Sequence, residues 1–267
     1  MFLRLLALTL LSASTSVLAA PSVQVASPDG SLSVAVTTDN DGRPSYAVSR
    51  KGNPVIAASR LGFIFVDAPK FERNFVIAAH ETKSFDETWE LPWGERRSIR
   101  NHYNAMRVTL TEKNALKRSL DVEFSVYDDG LGSRHDFRRQ DALKQVKIGE
   151  ELTEFSIADP ATAWWIPAGE WNREEYLYHR TPVQEVGDAQ TPMTLRTDDG
   201  LHLSIHEAAL VDYAGMNLTR VEARKFRAML TPGIGDGKVV RDAPFNTPWR
   251  TLQVSDTAGG LIMSSLI

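Results

Sequence analysis

Short runs in which apolar and polar residues alternate, each closed by a turn signal, dominate the chain. Leu32, Val34 and Val36 alternate after Ser27-Pro28-Asp29-Gly30, and Tyr46 and Val48 alternate between Asp39–Gly42 and Lys51-Gly52-Asn53-Pro54. A period of two places successive side chains on opposite faces of a strand, so these runs predict strands with one buried face. Leu61–Val66 reads as a compact apolar strand. Residues 101–112 set Asn104, Met106, Val108 and Leu110 against Tyr103, Ala105, Arg107, Thr109 and Thr111, and the first set is the expected apolar face. Leu120, Val122, Phe124 and Val126 then share a face up to Asp128-Asp129-Gly130, the clearest hairpin signal in the sequence. A second Asp-Asp-Gly, at Asp198–Gly200, separates a strand at 191–197 from another at 201–207. Asp and Gly reach positive φ cheaply, which is why turns recruit them. Residues 141–155 and 220–230 carry no clear period and fit helix or strand. Turns at this spacing, with few helical signals, predict antiparallel sheets packed as a sandwich in one large β domain.

The first residues read differently. Arg4 precedes the apolar run Leu5–Leu11, and small residues lead to Val17-Leu18-Ala19-Ala20. This is the pattern of a cleaved signal peptide over residues 1–20, too short to span a bilayer comfortably. Residues 21–267 are then the mature domain, expected in the periplasm or outside the cell. That length buries a core without staples. There are no cysteines, which excludes disulfides, thiolate metal sites and cysteine nucleophiles. A net charge of −4 with no basic block argues against nucleic acid and anionic membrane surfaces as partners.

Nucleophile-elbow, P-loop and dinucleotide-binding motifs are absent. His206-Glu207 begins like a zinc-protease motif, but Leu210 stands where the second histidine belongs. The same segment has one anomaly. Leu201, Leu203 and Ile205 share a parity with Glu207, so a strand here carries a carboxylate on its apolar face. Such a group must be protonated, paired with Arg or Lys, or bound to a cation. Trp164, Trp165 and Trp171 cluster near Tyr176 and Tyr178, and Trp89 and Trp93 flank Pro92. These rings suit either sugar stacking or core anchoring, although adjacent Trp164 and Trp165 point to opposite faces of a strand. The Asp128/Asp129 and Asp198/Asp199 pairs are accounted for by turn chemistry. His102, in Asn101-His102-Tyr103, reads as an ordinary hydrogen-bonded histidine.

Ten ordered blocks carry a family resemblance. They are Ser27-Pro28-Asp29-Gly30, Ser59-Arg60-Leu61-Gly62, Trp93-Gly94-Glu95, Ile99–Tyr103, Val126-Tyr127-Asp128-Asp129-Gly130 and Thr153-Glu154-Phe155. Ala163-Trp164-Trp165-Ile166-Pro167, Ile205–Leu210, Asp212-Tyr213-Ala214-Gly215-Met216 and Thr247-Pro248-Trp249-Arg250 complete the series. In this order they resemble the N-terminal region of glycoside hydrolase family 97, whose members cleave α-glucosides or α-galactosides. The resemblance implies an all-β fold, an antiparallel β-supersandwich of the galactose mutarotase-like type with few short helices. It also implies a (β/α)₈ barrel and a small C-terminal β domain beyond this segment, with α-linked oligosaccharide as the ligand.

In the calcium-dependent members a glutamate of this domain joins barrel glutamates around the ion, and Glu207 matches it by motif. Calcium is thus the expected cofactor, held weakly by this domain alone because one carboxylate cannot replace its several oxygen ligands. Glycoside hydrolysis needs two carboxyl groups across the scissile bond, and those of the family lie on the barrel. No catalytic residue is therefore assigned here, and the chain is expected to be an inactive fragment that docks its Glu207 edge on a barrel. The other expectation is a free-standing carbohydrate-binding sandwich. Leu131-Gly132-Ser133-Arg134-His135, after Gly130, departs from the family pattern.

Overall fold

The structure is a computed structural model that describes residues 22–173 and 175–266; the signal peptide expected at 1–20 lies outside them. A ten-stranded and an eight-stranded antiparallel sheet face each other, with a small three-stranded sheet beside them. The eight-stranded sheet runs, in spatial order, through Ser22–Ala26, Leu32–Thr38, Pro44–Arg50, Asn53–Arg60, Glu154–Ile157, Lys225–Leu230, Met216–Glu222 and Ala189–Gln190. The ten-stranded sheet begins with His179–Pro182, Ala161–Trp165, Met193–Thr197 and His202–Ala208. It continues through Trp249–Ser255, Gly130–Phe137, Ser119–Tyr127, Ser98–Glu112 and Phe75–Glu90, with Phe245–Asn246 paired on Gly130–Phe137. Gln145–Glu151 sits between Phe63–Phe65 and Val239–Asp242 in the small sheet.

The alternation read from the sequence is the alternation of burial. Leu32, Val34 and Val36 on one sheet and Met106, Val108, Leu110, Val122 and Phe124 on the other are sealed into a common core. Each such side chain contributes about 1.5–3 kcal/mol by leaving water. Tyr46 crosses between the sheets, its ring 5.9 Å from that of Phe124 and its hydroxyl donating to the Glu154 carbonyl at 2.8 Å. Burial raises the Tyr46 hydroxyl well above the ordinary tyrosine range. The Asp-Asp-Gly segments make turns: Gly130 and Gly200 both take positive φ, and a Cβ on Gly130 would collide with the Leu252 carbonyl.

Leu61–Val66 is shorter as a strand than its apolar run, Phe63–Phe65, because the chain breaks at Gly62 with φ +134°. The segments without a clear period are strands, Gln145–Glu151 with Glu154–Ile157 and Met216–Glu222 with Lys225–Leu230. The helical content among the described residues is a 3₁₀ turn at Val183–Glu185 and the short helix Ala258–Met263, capped by Thr257 Oγ1 accepting from the Gly260 N–H. No helix among the described residues is long and apolar enough to cross a membrane. Phe75–Glu90 and Ser98–Glu112 form a long hairpin at the edge of the large sheet, and the outer part of Phe75–Glu90 is exposed on both faces.

Candidate functional site

Glu207 ends the inward row of a central strand. Leu203 and Ile205 are fully buried against the opposite sheet, and Glu207 is the next residue on that face. Directly across the ladder lies Arg250, on the strand Trp249–Ser255. Arg250 Nη1 donates to Glu207 Oε2 at 2.6 Å, so pairing with arginine is the arrangement the buried carboxylate adopts. The other Glu207 oxygen accepts from the Met216 N–H at 2.9 Å.

Arg250 is shared. Its Nε and Nη2 donate to the two oxygens of Glu151 at 2.9 and 2.7 Å, a fork-to-fork pair in which both side chains are sealed from solvent. Thr153 Oγ1 and the Tyr213 hydroxyl also donate to Glu151, at 2.9 and 3.1 Å. Glu151 is thereby saturated. Burial alone would raise its carboxyl, but the guanidinium and these hydrogen bonds outweigh that and hold it at about 2.

One guanidinium thus faces two carboxylates, and one negative charge is left over. The geometry assigns it to Glu207, whose side chain keeps 9% exposure while those of Arg250 and Glu151 keep none. Its carboxyl is raised from the ordinary range because desolvation outweighs Arg250 and the Met216 N–H. Buried His135 stands nearby with neither ring nitrogen hydrogen-bonded among the described residues. Burial, against the opposing pull of Glu151, lowers its imidazole to about 4, so it is neutral near pH 7 and adds no compensating charge.

The backbone after Glu207 is unusual. Ala209 (φ 55°) and Asp212 (φ 48°) both occupy the left-handed region that non-glycine residues avoid. Between them Leu210 and Val211 are exposed beside the carboxylate. Strain of this kind persists where the surrounding structure over-determines it.

The remaining candidates separate cleanly. Asp128 accepts from the Asp29 N–H at 2.9 Å and ties two turns together, while Asp199 accepts from the Thr197 hydroxyl within its own turn. His206 points away from Glu207 on the opposite face of the strand. Trp165 is buried, its Nε1 donating to Thr181 Oγ1 at 3.1 Å, whereas Trp164 faces the other way over Arg180. Trp89, Trp93 and Trp171 are exposed. Asn101 accepts from the Tyr127 hydroxyl and donates to Glu87, in a hairpin network that does not include His102. Leu131–His135 belongs to the strand Gly130–Phe137, with Leu131, Ser133 and His135 inward. No group of three or more His, Asp or Glu side chains able to hold a metal occurs among the described residues.

Sequence reasoning singled out Glu207 and missed Glu151 and Arg250 as its partners. A signal existed: Thr153, Glu207, Tyr213, Met216 and Arg250 all fall within blocks that carried the resemblance, and the fold gathers them into one cluster.

The fold and this cluster define a two-sheet sandwich whose buried ionic cluster, Glu151–Arg250–Glu207, reaches the surface at Glu207. The model of the family "Glycosyl-hydrolase 97 N-terminal" matches residues 25–267. The chain belongs to this family, as an N-terminal domain of glycoside hydrolase family 97. A retaining α-galactosidase of Bacteroides thetaiotaomicron is 24% identical over 274 residues, covering 91% of this chain and 40% of its own length. A family 97 enzyme from Pseudoalteromonas sp. strain K8, solved with panose and with acarbose, superposes with a TM-score of 0.88 at 39% identity, over 91% of this chain and 37% of that one. A β-arabinopyranosidase shares the fold at a TM-score of 0.78 and 22% identity, over 88% of this chain and 40% of that one. The chain spans about two-fifths of the length of these relatives.

Proposed function

We propose that this domain is the non-catalytic N-terminal part of an exported α-glycoside hydrolase acting on α-glucosides or α-galactosides. In this reading Glu207 is its contribution to a calcium ion shared with glutamates of a (β/α)₈ barrel. The observation that carries it is the unmatched carboxylate: Arg250 forks onto sealed Glu151, and Glu207 is a second carboxylate on the same guanidinium, at the one edge of the cluster that keeps some exposure. A carboxylate oxygen accepts more than one partner, so Glu207 fits one arm of a hard-oxygen site while held by Arg250 and Met216. The described residues supply that arm and not a whole site. When bound, calcium would supply a fixed positive charge beside the sugar. This chain's own residues do the positioning: Arg250 and the Met216 N–H fix the carboxylate, and Leu210 and Val211 form the apolar rim of the surface that a barrel would cover.

The purified chain is expected to hydrolyse neither aryl α-glucosides nor aryl α-galactosides, with or without calcium at about 10 mM, which exceeds the weakest physiological sites. Calcium-stimulated turnover by the purified chain would contradict the proposal.

A further inference from the structure

The outward face of the large sheet carries a second organised site, on the opposite side of its strands from the Glu207–Arg250 pair. Cross-strand register arranges it as three parallel rows. The first is aromatic: Phe85, Tyr103 and Tyr127 lie side by side on adjacent strands, with successive ring centroids 4.8 and 4.9 Å apart. The second is small. Ala105, Ser125 and Gly132 occupy successive strands, through the pairs Ala105–Ser125 and Ser125–Gly132. The third is charged and alternates in sign as Glu81, Arg107, Glu123 and Arg134. A trough floored by small residues, with one aromatic and one polar wall, therefore crosses the strands.

Trp249 closes one end. Its ring lies on Gly132, where a Cβ would meet it at 3.1 Å, and the Arg134 guanidinium sits 4.4 Å from the ring centroid. The trough, open along its outer side, has a volume of about 230 Å³. That is below the roughly 300 Å³ at which pockets for drug-sized ligands begin, so it suits one small ring with the rest of the ligand outside.

The charges lining the trough balance one another. Glu123 accepts from Arg107 and, at 2.6 Å, from Arg134, while Lys83, at the outer end of the floor row, lies 3.8 Å from Glu81. This balance favours a neutral ligand over an ionic one. A neutral ring with an apolar face and several hydroxyls matches the aromatic wall and the polar wall together.

We propose that this trough binds one pyranose unit of a neutral oligosaccharide, stacked against the Phe85–Tyr103 wall and hydrogen-bonded to Glu123 and Arg134. Panose serves as the probe, titrated into the purified chain by calorimetry while the tryptophan indole ¹H–¹⁵N signals are followed. Saturable binding with a dissociation constant of about 1 mM is expected, with the Trp249 indole signal shifting most. Tyr103→Ala, which removes a stacking ring, and Ala105→Trp, which fills the floor, are each expected to weaken binding about tenfold or more. A flat titration of the wild-type chain, a response that bypasses Trp249, or unchanged affinity in both folded variants overturns the proposal. These readouts leave calcium and Glu207 untouched, so this proposal can fail while the shared-site reading stands.

Discussion

Arg118 and Arg250 are the two largest side chains sealed inside the protein, and their surroundings differ in one respect that matters. Arg118 faces a single carboxylate. Its Nε and Nη2 donate to the two oxygens of Glu112 at 2.7 Å, its remaining contacts go to the Pro69 and Lys70 carbonyls, and its guanidinium lies 4.6 Å from the Phe71 ring centroid. Charge is balanced and both partners are shut away from water. Arg250 makes the same fork with Glu151 and then takes a second carboxylate, which reaches the edge. The first cluster is complete in itself. The second carries one more carboxylate than guanidinium, beside a strained turn, and that difference separates it from a closed cross-link.

Removing a carboxylate from each cluster breaks the comparison most sharply. Glu112→Gln leaves the Arg118 charge buried and uncompensated, and is expected to cost about 3–5 kcal/mol in urea unfolding. Replacing Glu112 and Arg118 together by apolar residues of similar volume is expected to recover most of that loss.

Acid sharpens the comparison by reaching the Arg250 cluster in two stages. His135 is held at about 4, below its usual 6.5, so the folded state refuses a proton that the unfolded chain accepts. Stability is full above pH 6.5 and falls as the pH drops toward 4, by about 3 kcal/mol across that interval. Glu151, held at about 2, adds a further loss below pH 4.5. His135→Phe is expected to flatten the first segment of this profile in thermal melts and leave the second.

Glu207→Gln is the smallest effect. Glu151 still compensates Arg250, and the lost carboxylate was unfavourably desolvated. A change within about 1 kcal/mol is expected, in contrast to Glu112→Gln. A loss as large as that of Glu112→Gln would make Glu207 a structural ion-pair partner.

Much of the fold was legible in the sequence because its signals are local. Met106–Leu110 and Leu120–Val126 announce their buried faces by alternation, and the two Asp-Asp-Gly turns announce their hairpins. Glu207 itself was legible as a parity violation. Its partners were not, since Glu151 and Arg250 lie 99 positions apart and meet across two different sheets. The polar outer part of Phe75–Glu90 escaped because both its faces are exposed, so no period of two arises. The trough was hidden for a related reason. Its three rows run across strands, and a row exists only once the register is known.

The most direct test of the spare charge at Glu207 follows the side-chain carboxyl ¹³C signals of the purified chain during a calcium titration near pH 7. The account predicts that the Glu207 signal alone among Glu112, Glu151 and Glu207 moves, with weak binding at about 1 mM or above. A Glu207 signal unmoved at about 50 mM calcium, or binding by this chain alone at about 1 μM, would contradict it.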